Sequence, residues 1–143
     1  MTDTMPPADL TLVRDELAIR GLIERYSDAC CQRNVDAIMA LWADDCRWSV
    51  PDMEGLEDVR GKDAIHAIWQ GAQALFPFCF LVCTPGVIEI EGDTAWARTY
   101  TNEVLVNTEG ETRQAVGIYH DKFAVRGGRW LFTERTWHML KHL

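Results

Sequence analysis

The sequence predicts one domain of the α+β class, because a helical pattern in its first half is followed by a strand pattern in its second half. Between Leu17 and Ala72, apolar residues recur at intervals of three and four positions with charged residues between them, as in amphipathic helices. From Phe76 onward the pattern changes to strand-like segments separated by short glycine-containing turns. Helices that precede a run of antiparallel strands are typical of the α+β class.

Three helices are predicted before the long strands. The first extends from about Ala8 to Arg33, and its buried stripe includes Tyr26. A second helix is expected from Val35 to Ala43, with Asn34 as its N-cap. A third helix begins at Gly61-Lys62-Asp63.

One short strand and four long strands are predicted. Pro51 ends the short strand before an irregular acidic loop. The turns between the long strands are so short that consecutive strands become antiparallel neighbours. The five strands are expected at Cys46–Val50, Phe80–Glu91, Thr94–Asn107, Glu111–Val125 and Arg129–His138.

The length and charge of the chain restrict the classes of function. With 143 residues the chain has the size of one domain, 1–143, and residues 1–8 are expected to form a flexible tail. The formal net charge is -8 and no basic cluster is present, which argues against nucleic acid and anionic membranes as partners. No apolar stretch reaches the ~18 residues of a membrane span, and the N-terminal segment has no secretory pattern. We therefore expect a soluble, cytoplasmic protein.

Cysteine and histidine spacing does not indicate a metal site or a disulfide framework. The five cysteines include a vicinal pair, Cys30-Cys31, but no CxxC motif. The histidines lack the spacing of a zinc motif, and no phosphate-binding glycine loop or dinucleotide fingerprint is present. We expect reduced thiols and neither a metal nor an organic cofactor.

Four short motifs connect the chain to a known superfamily. They are Glu24-Arg25-Tyr26, Trp42-Ala43-Asp44-Asp45, Gly117-Ile118-Tyr119-His120-Asp121 and Gly128-Arg129-Trp130. From about Leu17 to Trp137 the chain resembles the nuclear transport factor 2-like superfamily, and within it the SnoaL-like group, with scytalone dehydratase and ketosteroid isomerase as relatives. The resemblance implies a cystatin-like, cone-shaped α+β barrel, in which N-terminal helices pack on a curved antiparallel sheet and enclose a pocket for a small apolar or aromatic molecule.

The resemblance also implies a homodimer formed by the other face of the sheet. Val116, Ile118, Trp130 and Phe132 are expected on that face, where they would expose an apolar patch on a single copy.

The positions that carry chemistry in the relatives are only partly kept. Tyr26 stands where the isomerases have the tyrosine that donates a hydrogen bond to a developing oxyanion, and Tyr119 aligns with their second donor. Val50 occupies the position of the isomerase base. Cys31 and Phe80 occupy the positions of the dehydratase aspartate and histidine. The general bases of both reactions are therefore missing.

The register of the last predicted hairpin decides which side chains face the interior. A three-residue loop at Arg126-Gly127-Gly128 places Tyr119 opposite Arg135, with Asp121 facing Thr133 and lying diagonal to Arg135 on the same face. A two-residue loop would instead place His120 opposite Arg135.

With the first register, four polar side chains form a candidate catalytic group. Asp121 could act as a general base or acid, and Tyr26 and Tyr119 could donate hydrogen bonds to a carbonyl or phenol oxygen. Arg135 could bind negative charge. The alternative is that Asp121 and Arg135 form a structural ion pair. The residues expected to line the pocket around them are Trp48, Val50, Trp69, Phe80, Trp137 and Cys31.

Three functions are compatible with this pattern. The first is a cofactor-independent lyase, similar to a dehydratase, or an isomerase that acts on a small cyclic or polycyclic substrate by proton transfer. The second is a ligand-binding or assembly domain of the same fold without catalysis. The third is a small subunit of an aromatic-ring oxygenase.

Overall fold

The computed structural model describes residues 7–143. Three helices and six strands form its architecture. A flexible tail was expected at residues 1–8. Residues 1–6 of it lie outside the described residues, and Pro7 and Ala8 belong to the first helix. The elements in chain order are α1 (Pro7–Cys31), α2 (Val35–Met39), β1 (Trp42–Ser49), β2 (Val59–Arg60), α3 (Lys62–Leu75), β3 (Phe78–Glu91), β4 (Thr94–Val106), β5 (Thr112–Arg126) and β6 (Arg129–His142).

The six strands form one curved sheet on which the helices pack. Its order is β2-β1-β6-β5-β4-β3, so the four long strands are consecutive antiparallel neighbours, as the short turns predict. β1 pairs with β6 in parallel and with β2 in antiparallel orientation. The α+β class is confirmed. No helix in the described part of the chain has the length and apolar character that crossing a membrane requires.

The core lies between α1 and the inner face of the sheet. Ile19, Ile23 and Tyr26 are all 0% exposed and form the inward stripe of α1, which packs mainly on β3. Each of the two isoleucines stabilises the fold by about 1.5 to 3 kcal/mol through burial alone. The amphipathic pattern thus placed Tyr26 correctly.

The second helix is shorter than the predicted span from Val35 to Ala43. α2 ends at Met39, and Trp42 and Ala43 begin β1. The Phe132 N–H donates to the Leu41 carbonyl (2.9 Å), and Trp42 pairs with Phe132 across the parallel β1–β6 contact. Sheet pairing and the packing of the Trp42 ring on Phe132 (5.6 Å between centroids) therefore override the local helical pattern.

The loop of the last hairpin also differs from the first expectation. Arg126 pairs with Arg129 across a two-residue loop in which Gly127 (φ 58°) and Gly128 (φ 78°) both adopt the left-handed conformation. Two positive φ angles are what a type I′ hairpin turn requires, and glycine adopts them without strain. The two-residue alternative for the loop is therefore correct.

A β-bulge then restores the expected face. Between the Lys122–Glu134 and Phe123–Phe132 pairs, Thr133 is an extra residue on β6, and Asp121 consequently pairs directly with Arg135. The expectations that Asp121 faces Thr133 and that Tyr119 faces Arg135 are wrong in register, since Tyr119 pairs with Trp137.

The two-residue loop also changes the predicted outer face, because it pairs Phe132 with Phe123 and Trp130 with Val125. Phe132 is 0% exposed and Trp130 is 8% exposed, so both belong to the core. Val116 and Ile118 are half-buried and lie at alternating positions away from the buried Tyr119. Exposed apolar side chains on the sheet include Phe78, Phe80, Val82, Tyr100, Met139 and Leu140.

Candidate functional site

A buried ion pair between β5 and β6 forms the centre of the candidate site. Arg135 donates from Nε to Asp121 Oδ1 (2.7 Å) and from Nη2 to Asp121 Oδ2 (3.1 Å), and both side chains are 0% exposed. Thr99 of β4 donates from its hydroxyl to the same Oδ2 (2.7 Å). Both oxygens of the carboxylate are therefore bound, which offsets the cost of removing its charge from water.

Three aromatic rings surround the guanidinium. Arg135 Cζ lies 4.2 Å from the ring centroid of Tyr26, 3.8 Å from that of Tyr119 and 4.4 Å from that of Phe132. Burial opposes the positive charge, but the Asp121 carboxylate raises the pKa of Arg135 above its usual value. The arginine is thus charged and held rigidly by cation–π contacts and by its carboxylate partner.

The two tyrosines meet edge to face above this arginine. Their ring centroids are 6.3 Å apart, and Trp48 Nε1 donates to Tyr119 Oη (3.3 Å). Burial raises the pKa of Tyr26 well above its usual value and also raises the pKa of Tyr119, although Arg135 partly opposes the latter shift. Both phenols are therefore neutral and available as hydrogen-bond donors.

Three buried donors in this cluster have no hydrogen-bond partner among the described residues. They are Tyr26 Oη, Trp69 Nε1 and Arg135 Nη1. Tyr26 interacts with the nearby Tyr119 hydroxyl, but no hydrogen bond of good geometry joins them. The Trp69 ring lies 6.0 Å from that of Tyr26 and stacks on Trp48 at 6.2 Å. Buried donors are nearly always satisfied in proteins, so these three atoms are exceptions.

Thiols continue the inner surface beyond the cluster. Burial raises the pKa of Cys79 to about 12, and it also raises the pKa values of Cys30 and Cys83. Cys31 accepts a hydrogen bond from the Leu81 N–H (3.4 Å) and donates to the Leu81 carbonyl (3.3 Å). Cys30 and Cys83, which are buried, and the half-buried Cys79 are protonated at neutral pH and are poor nucleophiles.

Two grooves open elsewhere on the described structure. One has a volume of about 820 Å³ and is lined by charged residues that include Glu89, Lys122 and Arg126. The other, about 320 Å³, lies on the outer face between Val82 and Leu140. Neither is lined by Tyr26 or Asp121. In the part of the chain that the structure describes, no group of three potential ligand side chains is arranged for a metal ion.

The sequence profile of the SnoaL-like domain matches residues 11–136, which is most of the chain. The chain belongs to the SnoaL-like family. This confirms the resemblance inferred from the four motifs. No match was found among curated proteins.

Solved structures agree with the SnoaL-like fold at low sequence identity. A protein of Novosphingobium aromaticivorans, provisionally named scytalone dehydratase, is 22% identical with a TM-score of 0.83, and the match covers 95% of this chain and 90% of that one. A hexachlorocyclohexane dehydrochlorinase, LinA type 2, is 17% identical with a TM-score of 0.85, covering 94% and 91%. A provisionally named aromatic ring hydroxylase from Novosphingobium aromaticivorans is 24% identical with a TM-score of 0.83, covering 96% and 93%. At these identities the likeness establishes the fold alone.

The structure brings six of the sequence-predicted residues of this SnoaL-like chain into one cluster. Trp137 faces the same interior, packs over Gly117 and donates from Nε1 to the Thr101 hydroxyl (2.9 Å). Val50 is buried at the end of β1, and Cys31 contacts the β3 backbone. Phe80 is corrected, because it is 44% exposed and alternates with the buried Leu81. The six clustered residues are Tyr26, Trp48, Trp69, Tyr119, Asp121 and Arg135.

Sequence reasoning missed the polar residues that β4 contributes. Thr99, Thr101 and Glu103 follow the buried Ala95 and Ala97 at every second position, so all five share the inner face. Counting from the short turn before Thr94 would have revealed this pattern. Thr99 donates a hydrogen bond to Asp121, whereas Glu103 is not part of the Asp121–Arg135 ion pair.

Proposed function

We propose that the protein binds a small cyclic or polycyclic molecule against the Tyr26–Arg135 cluster and acts on it as a cofactor-independent lyase or isomerase. The observation that supports this is the group of three buried donors without partners. An unsatisfied buried donor costs about 1 to 3 kcal/mol, and a carbonyl or phenol oxygen between these groups would accept their hydrogen bonds.

The same donors would favour negative charge on that oxygen. Tyr26 is a neutral phenol, and Arg135 Nη1 makes no hydrogen bond of good geometry while Asp121 accepts from Nε and Nη2, although the Cys83 thiol also interacts with the guanidinium. Donors fixed in a dry aromatic surround stabilise an enolate without having to reorient. The proposal assigns Asp121 a positioning role, because Arg135 and Thr99 already occupy its oxygens. This replaces the base role considered from the sequence.

The proposal places the entrance to the cluster at the tryptophan pair. Trp48 and Trp69 are half-buried, whereas Tyr26 and Arg135 are both 0% exposed. A ligand at the cluster would contact these indoles, so their fluorescence should report its binding.

The second candidate is a ligand-binding domain without catalysis. It is favoured by the side chains at the positions of the relatives' bases, which are Cys31, Val50 and Phe80, and by the full pairing of Asp121. Under this alternative the donors would bind the ligand equally well but no proton would move.

We also propose a homodimer formed by the outer face, supported by its exposed apolar side chains and apolar groove. Light scattering at micromolar concentration is expected to give twice the chain mass of 16.3 kDa. A mass equal to that of one chain would contradict the dimer.

The experiment is a screen of cyclic ketones and hydroxylated aromatics for tryptophan quenching and for turnover. Replacing Tyr26 by Phe should lower kcat about 10²-fold to 10³-fold, as expected for loss of an oxyanion donor. Tyr100→Phe, at a tyrosine that is 44% exposed, is the matched control and should leave kcat unchanged. Ligands that bind without turnover, with a Tyr26 variant altered only in affinity, would favour the binding domain.

A further inference from the structure

Glu103 is a second carboxylate on the inner surface of the sheet. It pairs with Leu81 on β3 and with Ala115 on β5, and these two neighbours are 3% and 7% exposed. Directly paired residues of antiparallel strands share one face. Glu103 therefore points to the same side of the sheet as Thr99 and Asp121, although it is half-buried rather than fully enclosed.

No side chain neutralises this carboxylate among the described residues, for which no ion pair or hydrogen bond to it is found. Burial raises its pKa, and its negative charge in turn raises the pKa of the nearby Cys79 thiol. A carboxylate whose pKa is raised is a stronger base than an ordinary glutamate.

Buried thiols connect Glu103 with the donor cluster. The charge of Glu103 raises the pKa of Cys79. The pKa of Cys30 responds to Cys79 and Arg135, and that of Cys83 responds to Arg135. Cys79, Leu81 and Cys83 occupy alternate positions of β3 and share its inner face, and Cys30 belongs to the same core. Along β4, Glu103 lies four residues beyond Thr99, roughly 13 Å at the spacing of a strand. Because the side chains of Glu103 and of the donor cluster shorten this distance, a fused-ring molecule is long enough to contact both.

We propose that Glu103 is the catalytic acid and base of this protein, and that its substrate is a fused-ring ketone whose oxygen lies at Tyr26 and Arg135. The carbon that loses a proton is conjugated with that oxygen and lies at Glu103. This inference rests on the proposed function, because it needs the donor cluster as the binding site of the oxygen.

The proton and electrons of the reaction then balance without a co-reactant. The Glu103 carboxylate takes a proton from carbon, the C–H bond breaks, and its electron pair moves through the conjugated ring to the ketone oxygen. The resulting enolate is held by the donors of Tyr26 and Arg135. In an isomerisation, Glu103 returns the proton to another carbon and the carbonyl re-forms. In a dehydration, Glu103 gives the proton to a leaving hydroxyl, the C–O bond breaks, and water departs. Neither route oxidises or reduces the substrate.

The test compares Glu103→Gln with the exposed control Glu111→Gln, using fused-ring ketones that quench the tryptophans of the wild type. The readouts are deuterium uptake from D₂O by bound ketone, followed by NMR, and the dissociation constant. Glu103→Gln should slow uptake by about 10² to 10⁴ while affinity changes by less than about fivefold. Glu103→Asp should recover part of the rate, and the acid limb of the pH–rate profile should be absent in Glu103→Gln.

The outcomes separate the two proposals. Uptake that survives in Glu103→Gln at the wild-type rate would overturn the role of Glu103 and leave the donor cluster standing. Ketones that bind without deuterium uptake in the wild type would overturn both the role of Glu103 and catalysis. Loss of uptake in Glu103→Gln with an unchanged dissociation constant supports both.

Discussion

Two carboxylates on the inner surface of the sheet have opposite environments. Asp121 is 1% exposed and accepts three hydrogen bonds, two from Arg135 and one from Thr99. Glu103 lies farther along the same surface, half-buried and without a neutralising partner among the described residues. A buried charge persists only where partners offset its desolvation, so we assign Asp121 a structural role. The carboxylate with no partner is the one that can exchange a proton with a ligand.

The largest effect on stability is expected at Asp121, whose carboxylate has all its hydrogen-bond partners. Asp121→Asn leaves the buried guanidinium of Arg135 without its counter-charge and should lower the free energy of unfolding by about 3 to 5 kcal/mol, as found when one partner of a buried pair is removed. Urea denaturation measures this. Asp45→Asn is the control, because the Asp45–Arg126 bridge (3.0 Å) is exposed and should contribute little. A loss in Asp121→Asn as small as that in Asp45→Asn would show that the buried pair does not stabilise the fold.

A smaller effect is expected between the two carboxylates, where Trp137 packs over Gly117. The Trp137 ring is fixed by its hydrogen bond to Thr101 (2.9 Å), so a methyl group at Gly117 forces the ring or the strand to move. Gly117→Ala should lower the free energy of unfolding by about 1 to 3 kcal/mol. Gly71→Ala, in an open position of α3, should be neutral or stabilising by up to about 1 kcal/mol. Thermal unfolding of both variants measures the difference. A Gly117→Ala variant as stable as the wild type would contradict the packing of Trp137 over Gly117.

The smallest effect concerns Glu103 and its dependence on pH. Because burial raises the pKa of Glu103 in the folded state, the native protein binds more protons than the unfolded chain above the ordinary glutamate pKa of about 4.3. Its contribution to stability is therefore fully present below that pH and declines as the pH rises toward the folded-state pKa. Glu103→Gln removes this decline, so its Tm relative to the wild type should increase from pH 4 to pH 7. The exposed control Glu111→Gln should show a flat difference, and a flat difference for Glu103→Gln would mean that its carboxyl titrates normally.

Local patterns were sufficient to predict most of the fold. The helical stripe of α1 placed Tyr26 inside, and the short turns specified the order of the long strands. The start of β1 was misread because Trp42 fits a helical face locally, and only the pairing of β1 with β6, distant in sequence, makes it a strand.

The candidate site could be predicted only in part. Neither loop length alone gave the correct register, because the bulge at Thr133 compensates for the two-residue turn and returns Asp121 to Arg135. A bulge depends on packing between strands and leaves no clear sequence signal. Glu103 was missed for a different reason: its face follows from counting every second residue after the turn before Thr94, but a lone glutamate in a strand matches no catalytic motif.

The central claim is that the unpartnered donors around Tyr26 bind an acceptor oxygen. Calorimetric titration with a bicyclic ketone and with its isostere, in which C=CH₂ replaces C=O, tests this claim most directly. The wild type should prefer the ketone by about tenfold or more, as expected for one or more buried hydrogen bonds including a charged donor. Tyr26→Phe should reduce that preference while Tyr100→Phe preserves it. Equal affinity of the wild type for the ketone and its isostere would contradict the account.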